Sequence, residues 1–142
     1  MNQTEIFGPM LAMFVLTAVV WVVMYARRLP FVFSGDYNPD RGTALELDMA
    51  APVGIVQPSD NLKNLFELPV IFYALVLMLF VTHQVDSVYL AAAWVFAGFR
   101  VAHSLVHCTV NIVMLRFPIY VVSAGALWFM VGRAAANYFH WL

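Results

Sequence analysis

Four long apolar segments dominate the pattern of this sequence, over about residues 7–25, 65–81, 88–115 and 117–138. Each is near or above the roughly 20 residues that a helix needs to cross a hydrocarbon core of about 30 Å. The first could also be a cleaved signal peptide, but it has no positive segment before it and is longer than such a core. The pattern predicts four membrane spans in one transmembrane domain over residues 1–142.

The composition excludes an ordinary soluble domain. Of the 142 residues, 63% are hydrophobic and 11% are charged, whereas soluble domains are about 45–50% apolar and about 25% charged. The formal net charge of −1 provides no basic face for nucleic acid. The sequence therefore predicts an all-α, multi-pass four-helix bundle embedded in a lipid bilayer.

Basic residues between the spans predict the orientation. The loop over about residues 26–63 carries four of them, Arg27, Arg28, Arg41 and Lys63. Arg116 marks the third turn, which lies on the same side of a four-span bundle. Since Lys and Arg accumulate in cytoplasmic loops, we expect this long loop to be cytoplasmic and both termini to lie outside.

The third apolar segment carries a polar stripe. A helix turns about 100° per residue, which places five polar side chains within an arc of roughly 100°: Arg100, His103, Ser104, His107 and Asn111. Ionisable residues inside a span usually face the bundle interior or a watery cavity. Glu67, the only acid within the predicted spans, is the expected partner of Arg100, although it also fits a simple role at a helix N-terminus.

His103 and His107 are four residues apart, a spacing that also fits a metal ion or haem. Only Glu67 offers a third protein ligand, and the other two histidines fall at the opposite membrane face. We therefore expect no metal. Three basic residues instead converge at the end of the bundle nearest the stripe, Arg28, Lys63 and Arg116, and they predict an electropositive pocket for a small anionic ligand.

Three motifs resemble a known family: "NLFELP" at the start of the second span, "RVAHSLVH" in the third and "LRFPIY" around the third turn. Together with the span count and loop lengths, they resemble the MAPEG superfamily, the membrane-associated proteins in eicosanoid and glutathione metabolism. The motifs are similar to those of microsomal prostaglandin E synthase. His107 and Phe117 replace its Tyr and Ser, and in this the chain resembles a less characterised bacterial branch.

The resemblance implies an assembly, a ligand and a set of residue roles. Members of known activity are homotrimers that bind glutathione between neighbouring subunits near the cytoplasmic face. The resemblance implies that Arg116 is catalytic and stabilises the thiolate of glutathione, whose thiol is otherwise mostly protonated at neutral pH. It implies that eight further residues bind glutathione: Arg28, Lys63, Asn64, Glu67, Arg100, His103, His107 and Tyr120.

Two classes of function remain open. One is a glutathione-dependent transferase or peroxidase that acts on a hydrophobic electrophile dissolved in the membrane. The other is a non-catalytic accessory subunit of a larger membrane complex, in which the polar stripe is only a helix–helix network. An enzyme predicts an open pocket at Arg116, whereas an accessory subunit predicts that Arg116 is paired and enclosed.

Overall fold

A computed structural model of the chain describes residues 2–34 and 43–140, which contain helices and no strand. A 3-10 turn at Gln3–Ile6 precedes six helices: α1 (Phe7–Phe33), α2 (Ala44–Ala50), α3 (Val53–Leu65), α4 (Leu68–Val81), α5 (Ser87–Cys108) and α6 (Val113–His140). Four helical segments are long and apolar enough to cross a membrane: α1 with its preceding turn, α3 continued by α4, α5, and α6. The predicted integral membrane four-helix bundle is confirmed.

Helix α5 lies at the centre of the bundle, where it packs on α1, α3 and α6. Small residues on its buried face, Ala93 and Ala97, allow close approach of its neighbours. Phe96 stacks on Phe72 of α4 with ring centroids 4.4 Å apart. Helices α1 and α6 make no comparable contact with each other, so they flank α5 on different sides.

The segment expected to be a long loop is largely helical. Helix α1 continues to Phe33, and the second span begins at Val53 rather than at about residue 65. Pro58 lies inside α3 and has no N–H to donate to Gly54 O, but Arg27 Nη1 donates to that carbonyl at 3.0 Å. The helix therefore tolerates a proline that the sequence alone suggests is a turn former. Arg41 falls outside the described residues.

The second span is interrupted between α3 and α4. Phe66 and Glu67 have non-helical backbone angles, and Pro69 follows in the first turn of α4. A helix end leaves carbonyl groups without partners, and the guanidinium of Arg100 donates to one of them, Asn64 O. The break is thus stabilised by a charged side chain from α5. The positive charge of Arg100 lies at the C-terminal end of α3, where the negative end of the helix dipole favours a cation.

The end of the bundle that holds the short connection between α4 and α5 is closed by reciprocal hydrogen bonds, and we call it the short-loop end. The side chain of Gln3 donates to Val85 O at 3.1 Å and accepts from Val85 N at 3.0 Å. Asp86 caps α5 by accepting from Tyr89 N at 2.9 Å, and Arg133 Nη1 donates to the same carboxylate at 2.8 Å. These contacts tie the N-terminus, the connection and α6 together.

Candidate functional site

The polar stripe of α5 points into the protein. Arg100, His103, Ser104 and His107 are each at most 3% exposed. Ser104 donates to the side chain of Asn61 at 3.3 Å, and Asn61 is itself fully buried on α3. Because α5 ends at Cys108, Asn111 does not continue the stripe, contrary to the predicted arc; it lies in the turn before α6.

Arg100 does not form the predicted ion pair with Glu67. Glu67 is exposed at the helix break, and the ion pairs among the described residues do not include it. Arg100 instead donates to the carbonyl oxygen of Asn64, as the fold requires at the end of α3. The prediction was wrong because the sequence does not reveal the helix break, which frees a backbone carbonyl that takes the place of the carboxylate.

A polar pocket of about 140 Å³ lies where α3, α5 and the first turns of α6 meet. Its lining combines four predicted site residues with two apolar ones: Asn64, His103, Arg116, Tyr120, Val113 and Phe117. The Tyr120 ring lies beside Arg100, whose Cζ is 5.4 Å from the ring centroid, and beside His103, 5.7 Å between centroids. The structure therefore brings four of the nine predicted residues to one pocket, with Arg100 behind its wall.

Arg116 enters this pocket with a neutral hydrogen-bond partner. Its Nη1 donates to Asn111 Oδ1 at 2.7 Å. No carboxylate of the described residues lies within ion-pair distance of Arg116, although four such pairs form elsewhere. The guanidinium is partly buried yet carries a charge that no acid in the described parts of the chain neutralises.

Unpartnered polar atoms concentrate beside the same pocket. Within the described residues, the buried side-chain atoms without a hydrogen-bond partner include Arg100 Nε and Nη1, His103 Nδ1 and His107 Nδ1. Buried polar groups are otherwise hydrogen-bonded in most proteins, so each such atom needs an explanation. These four atoms lie on successive turns of α5, and the described part of the chain offers them no partner.

Arg28 and Lys63 are not part of this pocket. Asp48 of α2 lies between them, 3.2 Å from Arg28 Nη2 and 3.4 Å from Lys63 Nζ, and Asp60 lies 2.9 Å from Lys63 Nζ. The predicted electropositive cluster is therefore largely neutralised. Sequence reasoning missed Asp48 because α2 lies within the segment expected to be a loop.

The remaining predicted residues have distinct environments. His107 is buried behind the pocket, 5.5 Å from His103 between ring centroids, and does not line it. Glu67 is exposed and does not line the pocket. Across residues 2–34 and 43–140, no three His, Cys, Asp or Glu side chains are grouped as a metal site requires.

A larger pocket, of about 440 Å³, lies between α4 and α6 toward the short-loop end. Apolar side chains such as Leu75, Met78 and Val131 dominate its lining, and Gln84 lies at its edge. It faces outward on a surface that meets lipid and contains no charged side chain. The smaller pocket is the better candidate for chemistry, because Arg116 lines it and the unpartnered nitrogens of Arg100 and His103 lie beside it.

The sequence profile of the MAPEG family matches residues 6–136 of the chain. This range includes all four spans and every residue of the polar pocket. The protein belongs to the MAPEG family. No curated protein and no solved structure gives a significant match to the chain.

Proposed function

We propose that the protein is a glutathione-dependent transferase or peroxidase that acts on a hydrophobic electrophile in the membrane. The observation that carries the proposal is the Arg116 guanidinium, which lines an open polar pocket and has a neutral partner, Asn111, but no acid among the described residues. A fixed positive charge of this kind favours the anionic form of a bound thiol. Membership of the MAPEG family, which includes glutathione-dependent transferases and peroxidases, supports the same reading.

The residues around the pocket suit the polar groups of a tripeptide. Bound glutathione supplies the nucleophilic sulfur, and Arg116 provides the positive charge that stabilises its thiolate. Asn64, His103 and Tyr120 offer hydrogen-bonding groups on the remaining walls. Arg100, buried behind the pocket wall, adds a second positive charge that favours an anionic ligand in the pocket.

The size of the pocket favours a homotrimer. A volume of about 140 Å³ is small beside the roughly 300–1,000 Å³ of typical ligand pockets. One chain therefore encloses only part of a tripeptide, and in the proposal a neighbouring subunit supplies the other wall. Two exposed residues, Phe117 of the pocket lining and Glu67 at the helix break, are available for contact with such a neighbour.

The orientation completes the proposal. Arg27, Arg28 and Lys63 lie at the same end of the bundle as Arg116, so the pocket opens on the basic side of the protein. By the distribution of Lys and Arg, this side is the cytoplasmic one, where glutathione is abundant, and the termini lie outside. The accessory-subunit reading is less well supported, because it requires an enclosed, paired Arg116.

Calorimetric titration of glutathione into detergent-purified protein tests this function. Wild type is expected to bind at micromolar to millimolar concentration. Arg116→Ala should weaken binding at least about tenfold, since a hydrogen bond to a charged group contributes about 1.5–3 kcal/mol and 1.4 kcal/mol corresponds to tenfold. Arg133→Gln, which removes an arginine from the other end of the same helix, is the matched control and should bind as wild type does.

Absence of binding in wild type at saturating glutathione would contradict the proposal. Equal binding by Arg116→Ala and wild type would remove Arg116 from the site. If binding is observed, turnover of lipophilic hydroperoxides and of halogenated aromatic electrophiles then separates peroxidase from transferase activity.

A further inference from the structure

The turn between α5 and α6 positions the arginine of the pocket. Asn111 has a φ of 48° and is one of two non-glycine residues with positive φ among those described; the other is His83, with a φ of 55°. Asn adopts this left-handed conformation more readily than most residues because its short polar side chain bonds locally. Its backbone N–H donates to Val106 O at 2.8 Å, which ends α5.

This conformation directs the Asn111 side chain toward the start of α6. Its Oδ1 accepts from Arg116 Nη1 at 2.7 Å, across five residues of sequence. Arg116 is also held through its backbone, since its N–H donates to Ile112 O at 3.0 Å. The guanidinium is thus fixed from the turn that precedes it.

The chemistry of the acceptor matters as much as its position. A carboxylate in place of the Asn111 amide would orient the guanidinium equally well but would neutralise its charge. The carboxylates that neutralise cations at this end, Asp48 and Asp60, pair with Arg28 and Lys63 instead. Beside Arg116, the pocket contributes the imidazole of His103 and the phenol of Tyr120, and no acid.

We infer that Asn111 is a positioning residue that fixes Arg116 through a neutral acceptor. It therefore leaves the positive charge of Arg116 available to an anionic thiolate. The inference rests on the proposed function and extends it to a residue that does not line the pocket. The inference also explains the strained turn, because in its left-handed backbone conformation the amide oxygen of Asn111 accepts a hydrogen bond from the Arg116 guanidinium.

Two substitutions separate this role from a purely structural one. Asn111→Gly keeps, and even eases, the left-handed backbone but removes the acceptor. Asn111→Asp keeps both the backbone tolerance and an acceptor but adds a negative charge. His83→Gly is the matched control, because it relaxes the other left-handed residue, which is exposed at the short-loop end.

The measurements are glutathione affinity by calorimetry and the ultraviolet absorbance of the bound thiolate at neutral pH. Asn111→Gly is expected to weaken binding about two- to tenfold and to lower the thiolate signal, because the charge of Arg116 stays in the pocket and only its positioning is lost. Asn111→Asp should lose at least as much affinity and nearly all of the thiolate signal. His83→Gly should match wild type in both.

Coupling between the two residues gives the strictest test. In an Arg116→Ala background, Asn111→Gly should have no further effect, because a positioning residue acts only through the group it positions. Wild-type binding in Asn111→Gly, or a full thiolate signal in Asn111→Asp, would overturn the inference while leaving the proposed function intact. Failure of wild type to bind glutathione would overturn both.

Discussion

Arg116 and Arg133 lie on the same helix but have opposite surroundings. Both Nη atoms of Arg133 donate to the carboxylate of Asp86, and its Cζ lies 4.3 Å from the centroid of the Tyr89 ring. Arg116 has one neutral acceptor and faces a pocket. The first arginine is satisfied within the chain and fastens α6 to the start of α5, whereas the second keeps donors and charge for something outside the chain.

The two ends of the bundle repeat this contrast. At the short-loop end, side chains pair reciprocally, as Gln3 does with Val85. At the other end, Arg100 and both histidines of α5 retain buried atoms without partners in the described residues. Leaving such groups unsatisfied costs about 1–3 kcal/mol each. At the short-loop end one such atom remains among the described residues, Gln84 Oε1, whereas the other end holds four, on Arg100, His103 and His107. The unsatisfied groups are therefore concentrated at the end that holds the polar pocket.

The largest expected effect comes from removing the buried charge of Arg100 beside the polar pocket. Arg100→Met should weaken glutathione binding at least about tenfold, because it deletes the positive charge behind the pocket wall. Its unfolding temperature in detergent should change little, since the lost bond to Asn64 O is offset by removal of a buried, partly unpartnered charge. Arg133→Met, the matched change, should lower the unfolding temperature and leave affinity unchanged.

The opposite result for Arg100→Met would contradict the contrast between the two ends of the bundle. If Arg100→Met unfolds at a much lower temperature and still binds glutathione normally, Arg100 is a structural residue like Arg133. Its main role would then be to cap the C-terminal end of α3.

Apolar length was sufficient to predict the four spans, because a bilayer requires about 20 apolar residues in each helix. It also placed His103 and Arg100 inside the bundle, since both are too costly to expose to lipid. The partners were not predictable. The acceptor of Arg100 is a backbone carbonyl freed by a helix break, and Asp48, which pairs with Arg28, lies on a short helix within the segment expected to be a loop.

The position of Asn111 illustrates a second limit. Helical periodicity placed it on the stripe with His107, but α5 ends at Cys108 and the chain turns through a left-handed residue. The sequence gives little warning of this end, because the residues after Cys108 are as apolar as those before it. The contact between Asn111 and Arg116 depends on that turn and not on helix geometry.

A smaller effect is expected at the short-loop end. Asp86→Ala removes both the cap of α5 and the partner of Arg133, and it should lower the free energy of unfolding by about 1–2 kcal/mol. Asp86→Asn keeps the cap and should cost less than about 1 kcal/mol. Thermal unfolding in detergent measures both, and glutathione affinity should not change. A loss of affinity in either variant would show that the two ends are coupled.

The smallest expected effect is the acid sensitivity of the same ion pair. The hydrogen bonds from Arg133 lower the pKa of Asp86 from 3.8 to about 2. A carboxyl group whose pKa is lowered on folding stabilises the protein above its unfolded pKa and loses that contribution as pH falls through the folded value. The stability of wild type should therefore decline relative to Asp86→Asn between about pH 4 and pH 2.

The magnitude of this decline should stay below about 1 kcal/mol, because the Asp86 side chain is 42% exposed and solvent screens the pair. Unfolding temperatures of the two proteins, measured side by side across that pH range, should converge toward the acid end. Parallel curves would mean that Arg133 is held by packing on Tyr89 rather than by the carboxylate. The short-loop end would then be stabilised by an aromatic contact. The difference between Arg133 and Arg116 would lie in their burial and not in their charge pairing.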